Sequence, residues 1–181
     1  MVIAGIDYSM TSPAICIHKG KEWSLDNCKF YFRTDKKTFE LKTSRFHSSL
    51  IDKWTCNEER FAQGAEWARS ILSAEKPERV TLEGYAMGAK GLVFHIGENT
   101  GQLKQVLWQL KLPFDVPAPS AIKKFATGKG NANKEKMEEA FLAETGFDMR
   151  PILLQTKLSF TPSADIIDAY YMAKWCWFKS Q

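Results

Sequence analysis

Apolar positions gather into short runs almost from the first residue. Residues 2–8 (VIAGIDY) are apolar apart from the charge of Asp7 and a closing tyrosine, and residues 12–18 (SPAICIH) form a second run. Met10 and Thr11 lie between them, with Pro13 early in the second run, so the two read as an antiparallel hairpin. A third strand follows at 29–33 (KFYFR), where aromatic and basic residues alternate. The stretch 34–55 is polar, densely charged and without a clean period, and is expected to be an insertion or long connection with room for a short helix.

From residue 57 the period changes. Phe61, Ala65, Ala68, Ile71 and Leu72 recur at three- and four-residue steps, which predicts a helix that stops before Pro77. Val80-Thr81-Leu82-Glu83 reads as a short buried strand, followed by the glycine-rich link GYAMGAKG. A second helix is expected over 98–111, with Leu103, Val106, Leu107 and Leu110 on one face and Trp108 off it. Residues 112–117 (LPFDVP) suggest a fifth strand, weakened by Pro113. Short helices are expected from Pro119 and over 134–144, and a last one over 163–178. Without an internal repeat or low-complexity linker, 1–181 is expected to be one domain: a mixed sheet with helices packed on it.

Composition narrows this picture modestly. A chain of 181 residues with 44% apolar content can build a sizeable core, and it has no run long enough to suggest a membrane span. Cys16, Cys28, Cys56 and Cys176 lack C-x-x-C pairing, which argues against a zinc cluster and fits reduced thiols in a cytoplasm. A net charge of +4 does not by itself mark a nucleic-acid binder. His18, His47 and His95 have no ligand spacing between them.

Four carboxylates stand out against their surroundings. Asp7 interrupts an apolar strand, Glu83 ends another, and Asp165 and Asp168 sit in the otherwise apolar SADIIDAYYMAKW. Burying an ionised carboxylate without a partner costs several kcal/mol, so each must be paired, protonated or metal-bound. The i, i+3 spacing of Asp165 and Asp168 puts both on one helix face. Asp165, just after Thr161, Pro162 and Ser163, has an alternative use as an anion in a first helical turn. If the first and fourth strands are neighbours, Asp7 and Glu83 converge, and the last helix can bring the other two. Such a set calls for hard cations, Mg²⁺ or Mn²⁺, and two ions would suit phosphoryl transfer.

A second feature is the segment 123–136 (KKFATGKGNANKEK), which sets Lys123, Lys124, Lys129, Lys134 and Lys136 against a single acid, Glu135. Gly128 and Gly130 allow close backbone approach to an anion, and Asn131 or Asn133 can cap the next helix. The segment suits a phosphate backbone, although an ordinary solvated loop has the same composition. It lacks the frame of a Walker A loop.

The motifs IAGIDYSMTSPAIC, VTLEGYAMGAKG, APSAIKKFATGKGNANKEKM and SADIIDAYYMAKW, in this order, resemble those of the RuvC-like Holliday junction resolvases of the RNase H-like superfamily. The resemblance covers nearly the whole chain, with the excess falling in 34–55. It implies an RNase H-like five-stranded mixed α/β sheet, three antiparallel strands then two parallel ones, flanked by helices. It also implies a homodimer that cuts two opposed strands of a four-way DNA junction, leaving 5′-phosphate and 3′-hydroxyl ends. By the same resemblance Asp7, Glu83, Asp165 and Asp168 match the four metal-binding catalytic positions, while Lys123 and Lys134 match basic positions near the scissile phosphate. Bacterial members often carry a phenylalanine three residues after the glutamate. Here Ala86 holds that place, leaving Tyr85 and Met87 as candidate DNA-contacting wedges. The insertion hints at a phage or other divergent branch. Two other readings are kept: a nuclease of the same fold acting on other branched DNA or RNA–DNA hybrids, and a non-catalytic branched-DNA-binding protein.

Overall fold

The strand and helix patterns resolve into a sheet with helices on both faces. β1 (Val2–Asp7) pairs antiparallel with β2 (Ala14–Lys19), and β2 with β3 (Cys28–Thr34). β4 (Phe46–Leu50) lies parallel to β3. α1 (Asn57–Glu75) leads to β5 (Arg79–Leu82), parallel to β1, and α2 (Val93–Gln109) leads to β6 (Phe114–Asp115), parallel to β5. α3 (Pro119–Thr127), α4 (Lys134–Thr145), α5 (Arg150–Leu153) and α6 (Ser163–Lys179) follow. The strand order is β4-β3-β2-β1-β5-β6. This computed structural model describes residues 1–84 and 92–181.

The sheet therefore has six strands where the sequence suggested five, and the addition comes from the polar stretch 34–55. Phe46 anchors it, stacking on Phe30 at 5.3 Å between ring centroids, while His47, Ser48 and Ser49 remain polar. One buried ring with backbone pairing suffices for an edge strand, and such a strand carries almost no hydrophobic period to be read. β6 shrinks to two residues because Pro113 and Pro117 bracket it. α2 starts at Val93, five residues earlier than its apolar stripe suggests, and it ends before Lys111, whose φ of 56° stops the helix.

Side-chain alternation divides the core. Ala4, Ile6, Ile15, Ile17, Val80 and Leu82 pack with Ala68, Leu72, Leu103 and Leu107 of α1 and α2. Ala14, Cys16, Phe30, Phe32 and Phe46 face α6 and α4. The stripe on α2 is thus core packing, with Trp108 outside it and 76% exposed.

Gly5 decides how closely α6 seats on the sheet. A Cβ there would lie 2.1 Å from the Ala173 nitrogen and 2.3 Å from the Ala169 carbonyl oxygen, both backbone atoms. Only glycine lets helix and strand touch this closely. Thr81 Oγ1 donates to Asp115 Oδ1 at 2.6 Å and Trp175 Nε1 donates to Asp115 Oδ2 at 3.1 Å, which fixes the second half of α6 over β5 and β6. Among the described residues no helix is long and apolar enough to cross a membrane, and the four cysteines are free.

Candidate active site

The contact at Gly5 sets the place of the acids. Asp7 is two residues further along β1, on the same face as Gly5. Asp165 is one turn before Ala169, on the same face of α6. Strand and helix run in opposite directions from their contact, so both residues arrive at the same edge of the sheet. The register Ile6↔Leu82, continued by the Glu83 amide donating to the Ile6 carbonyl at 3.1 Å, carries Glu83 to the end of β5 beside Asp7. Here the parallel pair β1–β5 meets the antiparallel pair β1–β2, and sites in mixed sheets favour the carboxyl ends of strands at such a switch of direction.

The electrostatics show that the four acids act on one another. Burial raises the Asp7 carboxyl well above the ordinary range, and the charges of Glu83, Asp165 and Asp168 add to this; Lys134 offsets only part. Burial also raises Glu83, against the pull of Lys123, with Asp165 raising it further and Lys134 lowering it. Asp168 is pushed up to about 7 by burial and then by Glu83 and Asp165, with Lys134 and Lys123 opposing. The region is short of positive charge.

Asp165 does lie in the first turn of α6, where the helix dipole favours an anion, but it makes no cap hydrogen bond. The residue before α6 is Pro162, with no side-chain cap, and the Asp165 carboxylate is engaged elsewhere. Buried Ser12 donates from Oγ to Asp165 Oδ2 at 2.6 Å, and Lys134 Nζ stands 3.8 Å from Oδ1. Ser12 is held in turn by its loop: its amide donates to Ser9 Oγ at 3.0 Å, and the Arg60 guanidinium donates to the Met10 carbonyl at 2.8 Å. Sequence reasoning missed Ser12, because its partner lies 153 residues away and a lone serine near a proline carries no signal.

The lysines separate into two groups. Lys123 and Lys134 reach the acids electrostatically, from α3 and from the first position of α4. Asn133 caps α4, its side chain accepting from the Lys136 amide at 3.0 Å. Lys124 and Lys129 are exposed, and the Lys136 ammonium pairs with Glu139 at 2.7 Å. His95 pairs with Glu98 at 3.1 Å and belongs to α2 rather than to the acids. Tyr85, Ala86 and Met87 lie outside the described residues.

Next to Asp7 and Glu83 opens a cavity of about 320 Å³, bounded by Ser9, Leu92, Ile96 and buried Asn99 and Thr100. Asn99 Nδ2 donates to the Tyr8 carbonyl at 3.4 Å, tying α2 to the residue after Asp7. The donors are hard carboxylate oxygens, the kind that Mg²⁺ and Mn²⁺ take, and their uncompensated charge fits a divalent cation. Among the described residues, however, no three acidic, histidine or cysteine side chains close around a single point. The four acids share one electrostatic region without forming a finished coordination shell.

Searches with the sequence match no family model and no curated protein. Solved structures do match. RuvC of Thermus thermophilus, in complex with a Holliday junction substrate, is 20% identical with a TM-score of 0.64, over 96% of this chain and 90% of that one. The yeast mitochondrial Holliday junction resolvase Ydc2 is 13% identical with a TM-score of 0.57, over 98% and 78%. The fowlpox virus resolvase, in complex with substrate Holliday junction DNA, is 17% identical with a TM-score of 0.55, over 99% of both. At such identities the likeness is one of fold: this chain has the mixed α/β architecture of these resolvases.

Proposed function

We propose that the chain is a structure-specific endodeoxyribonuclease that resolves four-way DNA junctions by phosphodiester hydrolysis, leaving 5′-phosphate and 3′-hydroxyl ends. The observation that carries this reading is the meeting of Asp7, Glu83, Asp165 and Asp168 at one sheet edge, with Lys123 and Lys134 beside them and too little positive charge to balance them. The fold shared with three junction resolvases supports it. In this reading one domain carries the activity and works on DNA in a bacterial or phage-infected cytoplasm.

Asp7, Glu83, Asp165 and Asp168 would hold Mg²⁺, with Mn²⁺ as a substitute and two ions as the expected number. Bound there, the ions would supply Lewis acidity to activate water and stabilise the departing oxygen. The chain's own groups do the rest. Ser12 fixes the rotamer of Asp165, so one carboxylate is held before substrate arrives. Lys123 and Lys134 offer ammonium groups to the phosphate at the edge of the acids. The more distant Lys124, Lys129 and Lys136 offer charge to the backbone beyond it.

Two opposed cuts require two sites, and α2 offers a face for a partner copy. Phe94 is 83% exposed and Trp108 76% exposed, and at Gly97 and Gly101 between them a Cβ would meet nothing within 4 Å. Steps of three, four and seven residues place these four on one stripe. A helix with small residues at its centre and aromatics at its ends suits close packing against its own copy.

The test is to map cleavage of a synthetic four-way junction in Mg²⁺ on a sequencing gel, with matched duplex, flap and RNA–DNA hybrid substrates in parallel. Paired symmetric cuts with ligatable ends are expected on the junction. Faster cutting of the hybrid or the flap would replace the junction reading with a different nuclease, and no cutting of any substrate would favour a binding protein.

A further inference from the structure

A second opening lies on the other side of Lys134. It measures about 540 Å³, within the ~300–1,000 Å³ typical of small-molecule sites, and runs between the turn Lys37–Phe39 and residues 154–161. Lys134 belongs to both places: its ammonium is 3.8 Å from Asp165 and its side chain lines this groove. The groove therefore begins where the acids end.

Its lining is aromatic and basic. Phe160 is 52% exposed, with the Lys157 ammonium 5.7 Å from its ring centre. Across from it Phe39 is half-buried against the core, with Lys36 5.8 Å from its ring centre. Two carboxylates are tied to the wall: Glu138 accepts the Ser159 amide at 3.0 Å, and Asp165 stands 3.8 Å from the Lys134 ammonium. Among the described residues, Ser159 Oγ and Gln155 Oε1 are buried without a hydrogen-bond partner, and both residues line the groove. Ser159 is only 6% exposed. One exposed ring, a lysine rim and unused polar atoms together suit a nucleic-acid strand, in which a base stacks on the ring while the phosphates meet ammonium groups. A second copy of this chain fits poorly, because the same lysine rim would face a protein of net charge +4.

Building on the nuclease reading, we infer that this groove holds the DNA strand flanking the scissile phosphate, with a base stacked on Phe160 and the backbone met by Lys36 and Lys157. Phe39 and Lys36 come from the polar insertion, which gives 34–55 a role in holding substrate as well as in edging the sheet.

Photocrosslinking tests this with the full chain and a four-way junction in EDTA, so that the DNA stays whole. Phe160→benzoylphenylalanine should crosslink to nucleotides next to the mapped cut. Phe178→benzoylphenylalanine, also exposed but about 15 Å further along α6 than Asp168, should not. A gel-shifted complex that gives no Phe160 crosslink, equal crosslinks from both positions, or protein–protein crosslinks at Phe160 would each overturn the inference. A wild-type chain that fails to shift the junction at all would bring down the nuclease reading as well. In Mg²⁺, Phe160→Ala and Lys36→Ala should raise KM on the order of tenfold, with the loss in KM rather than kcat. Phe160→Leu, which keeps apolar bulk without a ring, should share the defect. Full affinity in Phe160→Leu would sink the stacking assignment.

Discussion

Two places in this molecule that hold carboxylate follow opposite electrostatics. At one place Glu75, at the end of α1, receives the ammonium of Lys19 at 2.5 Å, that of Lys29 at 3.2 Å and the hydroxyl of Tyr31. Burial pushes Glu75 up, but these hydrogen bonds and charges outweigh it and hold it at about 2. At the other place four acids share two lysines, and burial with mutual repulsion raises Asp7, Glu83 and Asp168. One acid with two cations and a phenol is a finished structural unit. Four acids with two cations cost the fold stability, a cost that the cations of the proposed function would offset.

The largest effect expected from breaking this contrast is on cleavage. Asp7→Asn or Glu83→Gln should lower junction cleavage in Mg²⁺ by on the order of a thousandfold or more, with junction binding by gel shift largely retained. Retained cleavage in both variants would remove the acids from the chemistry. Glu75→Gln should leave the cleavage rate alone.

Stability sharpens the same comparison, with opposite signs at the two places. Asp168 binds its proton more tightly folded than unfolded, so the metal-free protein loses stability as pH rises from about the ordinary 3.8 toward about 7. Asp168→Asn should therefore raise the melting temperature in EDTA at pH 8, and the gain should fade by pH 4. Glu75 holds its proton less tightly folded, so its contribution is present above pH 4.5 and lost as pH falls toward about 2. Glu75→Gln should lower stability at pH 8 by about 1–2 kcal/mol, or about 2–4 °C for each kcal/mol in a chain of this size. Calorimetric scans of the two variants across pH check both signs; a destabilised Asp168→Asn would mean that its charge is compensated after all.

The smallest effect concerns the outer lysines. Lys129→Ala should weaken binding to all DNA substrates alike and flatten the salt dependence by about one unit, measured by fluorescence anisotropy over a salt series. Lys136→Ala should do less, since Glu139 already holds that ammonium. An unchanged slope for Lys129 would place the loop away from the phosphates.

Much of the candidate site was legible because buried charge is conspicuous in an apolar run. Asp7 and Glu83 stood out by position alone, and the spacing of Asp165 and Asp168 put them on one face. The helical and β periods gave most of the fold, since an element that buries one face must repeat its apolar residues. β4 was hidden because an edge strand with one buried ring needs no such repeat.

The sequence by itself thus singled out the candidate acids and the alternation that brings Asp7 and Gly5 to one face of β1. The tertiary structure alone decided how they meet. Backbone contact at Gly5 sets α6 over the strand, Ser12 takes the Asp165 carboxylate that a helix cap could have used, and Lys134 stands between the acids and the groove beyond. Each of these is a contact between residues far apart in the chain. No local pattern records such a contact, because what it depends on is the packing distance between elements rather than the order of residues within one.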